Sequence, residues 1–154
     1  PAPAPAAPPA PAPAVSAQQM VQSAFASAVP AAWRSAIPVR LEVIPGDMSW
    51  ASSSGTIQVS QGHINAGPAI VRAVLAHEFG HLIAFRYGSQ AFTGAAPQGW
   101  PSYSSRPEEA WADCVAQAFT GVVDPSHGLP ACGGASLSFT GSWLAQGPAA
   151  HPRT

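Results

Sequence analysis

The sequence predicts a small α+β domain, with a short β-sheet packed on one central helix and on a second helix that carries carboxylates. Three observations predict it. Two short runs, over 39–44 and 56–60, alternate apolar and polar residues as half-buried strands do. A long run over 68–87 repeats apolar residues at helical spacing, and a shorter one follows over 107–121. The chain has 154 residues, enough for one substantial core but not two.

The elements follow in order. Residues 1–15 form a Pro/Ala-rich stretch in which proline removes amide donors and fixes φ, so an extended polyproline II linker is expected. The folded domain is expected over 16–146. Ser16 with Gln19 fits a capping box, and Met20, Val21, Ala24, Phe25 and Ala28 follow at helical spacing until Pro30. A turn of helix is expected around Trp33. The strand over 39–44 puts Val39, Leu41 and Val43 on one face, and Pro45, Gly46 and Asp47 break it. Residues 52–55 read as a polar loop. The strand over 56–60 turns Ile57 and Val59 inward and Thr56, Gln58 and Ser60 outward.

Pro68 opens the central helix, which Gly88 stops after Tyr87. Its many apolar residues, from Ile70 to Ile83, leave little polar face. Residues 88–106 read as a long loop. Pro107 opens the next helix, ending near Gly121, with Trp111, Val115, Ala118 and Val122 as its buried stripe. A further helix is expected over 136–146, and 147–154 reads as a C-terminal tail.

Composition narrows the function classes. All six basic residues are arginine and the formal net charge is −1, so no basic patch argues for nucleic acid or an anionic membrane surface. No stretch reaches the ~18–20 apolar residues that cross a bilayer. No signal-peptide pattern is visible at Pro1, and the start reads as a mature or trimmed one. Cys114 and Cys132 are too few for a disulfide scaffold. They can form one bridge in an oxidising compartment, the alternative being two buried thiols. The stalk-like linker and the cysteine pair together suggest a secreted or cell-envelope protein.

Four of the seven acidic residues fall in two short segments, Glu78 in one and Glu108, Glu109 and Asp113 in the other. The first segment is His77-Glu78-Phe79-Gly80-His81, an HExxH pattern inside the strongest helical run. Residues four apart on a helix lie one turn above the other on the same face, so two imidazoles can reach one zinc ion at about 2.0–2.1 Å. Glu78 then lies beside the ion without ligating it, where it can act as a general base on the activated water.

A catalytic zinc site needs a third protein ligand and an open position. The metzincin extension would need glycine at 84 and histidine at 87, but the residues are Ala84 and Tyr87. The later helix, Glu108-Glu109-Ala110-Trp111-Ala112-Asp113-Cys114, is the better source. Glu109 and Asp113 are four apart, so Glu109 can ligate while Asp113 accepts the N–H of a ligating histidine. Glu108 competes for ligation but has Ala112 four residues on. Direct ligation by Asp113 is a third arrangement.

HEFGH followed by EAWADC resembles the gluzincin peptidases, and within them the bacterial neutral zinc metallopeptidases, whose second motif has the form ExxADC. The resemblance covers mainly residues 70–121. It implies a zincin-like fold, one Zn2+ per chain held by His77, His81 and Glu109, Asp113 behind them, and peptide-bond hydrolysis with Glu78 as base. Cys114 also fits the family form, and a bridge to Cys132 would pin the last loop to the ligand helix.

Secondary expectations remain. The strand over 56–60 is a candidate edge strand for binding extended substrate. Tyr103 and Arg106 are the first candidates for an oxyanion or substrate contact, ahead of Tyr87 and His127. Trp50, Trp100 and Tyr103 are candidates for an aromatic cleft wall. His63 reads as a loop histidine and His151 as a bystander. The expected partner is a peptide or protein substrate and the expected state a monomer. Competing readings are a non-catalytic zinc protein of the cell envelope and a zinc amidase acting on cell-wall peptides.

Overall fold

The computed structural model describes residues 15–88, 107–123 and 132–153. Helix α1 (Ala17–Ala28) starts at the expected capping box: Ser16 Oγ accepts from the Gln19 amide at 3.2 Å, and Gln19 Oε1 accepts from the Ser16 amide at 3.0 Å. Helix α2 (Ala31–Ala36) follows Pro30 and buries Trp33. Strands β1 (Arg40–Ile44), β2 (Trp50–Ala51) and β3 (Thr56–Ser60) form one sheet in the order β1-β3-β2, with β1 parallel and β2 antiparallel to β3. Helix α3 (Gln61–Asn65) leads into α4 (Pro68–Tyr87). Helices α5 (Pro107–Thr120) and α6 (Gly134–Ala145) and a 3-10 turn (Pro148–Ala150) complete the elements.

Twelve of the twenty residues of α4 are buried, which makes it the centre of the fold rather than an amphipathic cover. The sheet and α1 pack on one side of it and α5 on another. Ile57 and Val59 point from β3 into this core, together with Phe25, Phe79, Trp33 and Trp111. The Cys114–Cys132 disulfide ties the chain ahead of α6 to the middle of α5.

Several expectations are corrected. Strand β3 is paired on both sides, so it is not an edge strand; the edge on that side is β2, too short to announce itself by alternation. Ser60 does not face out. It is fully buried because it caps α3, its Oγ accepting from the His63 amide at 3.2 Å. His63 therefore lies on a helix, with Nδ1 2.8 Å from Ser49 Oγ. His151 is no bystander: its ring stacks on Trp143 with centroids 3.6 Å apart and planes 11° from parallel, and Nε2 donates to the Trp143 carbonyl at 3.0 Å.

Candidate metal centre

Helix α4 presents His77 and His81 one turn apart, and α5 brings Glu109 and Asp113 against them. His77 Nε2 lies 3.1 Å from His81 Nε2 and 3.3 Å from Glu109 Oε2, and the third side, His81 Nε2 to Glu109 Oε2, is 3.7 Å. Donors bonded at about 2.0–2.1 Å to one tetrahedral ion sit roughly 3.3 Å apart, so this triangle has the size that a zinc-like ion requires. Among the described residues, His77, His81 and Glu109 form the cluster able to hold a metal.

The donor chemistry fits as well. The Asp113 carboxylate accepts from His77 Nδ1 at 2.8 Å, which fixes the tautomer and leaves Nε2 as a lone pair in the neutral ring. That lone pair faces a second imidazole nitrogen and a carboxylate oxygen. Such a convergence of acceptors has to be neutralised by a proton or a cation. In the metal-free protein a proton does so. Burial pulls His77 down, but hydrogen bonds to Asp113 and Glu109 and the charges of Glu78 and Asp113 outweigh it and raise the pKa to about 9. The same histidines, through their hydrogen bonds, hold the Glu109 carboxyl well below the usual carboxylate range.

Glu78 follows His77 directly in the chain and is 5% exposed, so it is a carboxylate beside the cluster in a largely dehydrated setting. Glu108, the competing ligand, is exposed and outside the cluster. Asp113 lies behind His77 and not among the three converging donors.

The sequence reading missed how the two helices come close enough. A Cβ on Gly80 would lie 2.8 Å from Ala112 Cα and 3.2 Å from Val115 Cβ, so only glycine allows this approach. Trp111, read as plain core, also donates its indole N–H to the Gly80 carbonyl at 3.0 Å. The glycine inside HEFGH and the alanine inside EAWADC were the available signals. Tyr87 is core, 1% exposed and edge-on to Trp33 and Trp143, which removes it as an oxyanion candidate. Tyr103, Arg106, Trp100 and His127 lie outside the described residues. Trp50 is half-exposed on β2.

Comparison with protein-family models, curated proteins and solved structures returned no match. The geometry therefore stands by itself. His77-Glu78-x-x-His81 with the distal Glu109 forms a zinc-binding-like cluster typical of gluzincin HExxH metallopeptidases. With Glu78 beside it, the arrangement matches catalysis by a metal-activated water and supports metallopeptidase activity.

Proposed function

We propose that this chain is a zinc-dependent peptidase that works outside the cytoplasm, as a monomer, on peptide or protein substrates. The observation that carries the reading is the three-donor triangle of His77, His81 and Glu109 with Glu78 next to it in the chain. Two imidazoles and one carboxylate are a donor set of the catalytic zinc type, which leaves one position open. The disulfide and the Pro/Ala-rich stretch over 1–15 support an extracytoplasmic setting.

When bound, the ion supplies Lewis acidity, polarising the scissile carbonyl and lowering the pKa of water. His77 and His81 offer Nε2 and Glu109 a carboxylate oxygen. Asp113 holds the His77 ring in the tautomer whose Nε2 is a donor to metal. The Glu78 carboxylate takes the proton of the attacking water and passes it to the leaving amine.

The test combines elemental analysis with peptide hydrolysis. Wild type should carry one zinc per chain. Glu109→Ala should lose it and Glu108→Ala keep it. Glu78→Gln should keep zinc while turnover is abolished. Hydrolysis that survives Glu78→Gln, or zinc that survives Glu109→Ala, contradicts the reading.

A further inference from the structure

The sheet has two faces. Ile57 and Val59 turn one of them into the core. The register places Arg40 and Glu42 of β1, Thr56 and Gln58 of β3, and Trp50 of β2 on the other. With Ser52, these residues line a cavity of about 230 Å³ that touches none of the metal-centre residues. Trp50 is 48% exposed. An indole half in water adds little to the core, but it presents a broad apolar plate with one N–H on its rim.

Trp50, Gln58 and Glu42 stand in one row across the three strands, which lie about 4.8 Å apart. Both oxygens of the Glu42 carboxylate are engaged, Oε2 by the Gln58 amide N–H at 2.7 Å and Oε1 by the Arg40 guanidinium. These hydrogen bonds hold the Glu42 carboxyl below its ordinary range, so it is ionised and cancels the Arg40 charge. The bond to Glu42 also orients the Gln58 amide and leaves its carbonyl oxygen as an acceptor, while Arg40 keeps further N–H donors. Thr56 adds a hydroxyl. The face therefore combines one apolar plate, fixed donors and acceptors, and no net charge. A sugar ring is its complement: C–H groups on the ring face, hydroxyls that both donate and accept around the edge, and no charge. A charged ligand meets Arg40 and Glu42 already satisfied by each other. Recognition of a peptide by strand addition uses an open sheet edge, whereas this cavity lies over β3, which is paired on both sides. The volume is below the roughly 300–1,000 Å³ of pockets that enclose whole small ligands, so it takes one ring of a chain.

We propose that the outer face of the sheet is a binding site for a neutral glycan, with one sugar ring stacked on Trp50 and its hydroxyls held by Gln58, Thr56 and Arg40. The site is separate from the metal centre, whose residues lie on α4 and α5, and does not rest on the peptidase reading. It would hold the chain on a polysaccharide while the metal centre works elsewhere on the surface.

The test titrates the full chain calorimetrically with cellohexaose, chitohexaose and mannohexaose, and with an oligogalacturonate as the anionic counterpart. Saturable binding of at least one neutral oligosaccharide, tighter than that of the oligogalacturonate, is expected. Trp50→Ala should weaken it about tenfold or more, the usual effect of truncating an aromatic anchor. Trp50→Phe should retain most of the affinity, because it keeps an aromatic plate. Trp50 is half-exposed, so both variants should keep the wild-type circular dichroism and zinc content. No saturable binding of any neutral oligosaccharide, equal or tighter binding of the oligogalacturonate, or affinity that survives Trp50→Ala overturns the site. Peptide hydrolysis reports separately on the metal centre: a chain that binds a glycan through Trp50 but cleaves no peptide would keep this site and lose the peptidase reading.

Discussion

Gly80 and Ala112 meet at the crossing of α4 and α5 so closely that a Cβ on Gly80 would fall 2.8 Å from the Ala112 Cα. The obstacle is backbone, which cannot rotate away as a side chain can. Gly80→Ala gains about 1 kcal/mol of helix propensity but overpacks the crossing at about 1–3 kcal/mol. We expect a net loss of stability, with α5 displaced and Glu109 and Asp113 drawn off the histidines. Thermal unfolding and a zinc titration check this. An unchanged Tm together with unchanged affinity would show that the crossing has slack.

Asp113→Asn keeps the side chain's size and removes its charge. The amide oxygen of Asn can still accept from His77 Nδ1, but the negative charge that makes Nε2 basic is gone. Outer partners of this kind are worth about 10–100-fold in metal affinity. A loss in that range in chelator competition is expected, with the fold intact by circular dichroism. A loss as complete as that of Glu109→Ala would instead make Asp113 a direct ligand.

Much of this was legible in the sequence because the signals were local. The capping box at Ser16 and Gln19 was found because both partners lie within one turn. Pro68 and Gly88 delimit α4 by backbone chemistry alone. His77 with His81, and Glu109 with Asp113, were readable because a helical period fixes which residues share a face. What failed was not local. The order β1-β3-β2 depends on pairing between strands, and no spacing within 56–60 says that both its sides are taken. Ser60 alternates as an outward residue but ends the strand as the cap of α3, and the cap decides its burial. His151 looked idle because its partner, Trp143, is reached only after the chain turns at Gly147 and Pro148.

Metal and proton compete for His77. In the metal-free fold its pKa is raised to about 9 from the ordinary imidazole value of 6.5, by its hydrogen bonds to Asp113 and Glu109. The proton on His77 therefore stabilises the metal-free fold fully below about pH 6.5, and that contribution is lost as pH rises through about 9. Binding a cation must expel the same proton. Zinc affinity should thus rise with pH between about 6.5 and 9, approaching tenfold per unit, while the Tm of the metal-free protein falls over the same window. Calorimetry in buffers of different ionisation enthalpy should detect close to one proton released per zinc at pH 7.5 from this site. Release near zero there would mean that His77 is already neutral in the metal-free protein.

The C-terminal segment should matter for stability and not for metal binding. His151 stacks on Trp143, which lies parallel to Trp33 at 5.5 Å and edge-on to Trp111 at 5.3 Å. Through Trp111 this aromatic cluster reaches the Gly80 carbonyl, so a path to the metal helix exists. The close approach of α4 and α5 is nevertheless set by the Gly80–Ala112 contact, which the segment after Gln146 does not supply. His151→Ala removes the close stack on Trp143, about 0.5–1.5 kcal/mol, the more distant ring contacts to Trp33 and Tyr87, and one hydrogen bond of about 1 kcal/mol. We expect a stability loss of about 1.5–2.5 kcal/mol by denaturant unfolding, with zinc affinity within about twofold of wild type. A tenfold drop in zinc affinity would mean that the Trp143–Trp111 contact, and not the glycine crossing, holds Glu109 and Asp113 in place.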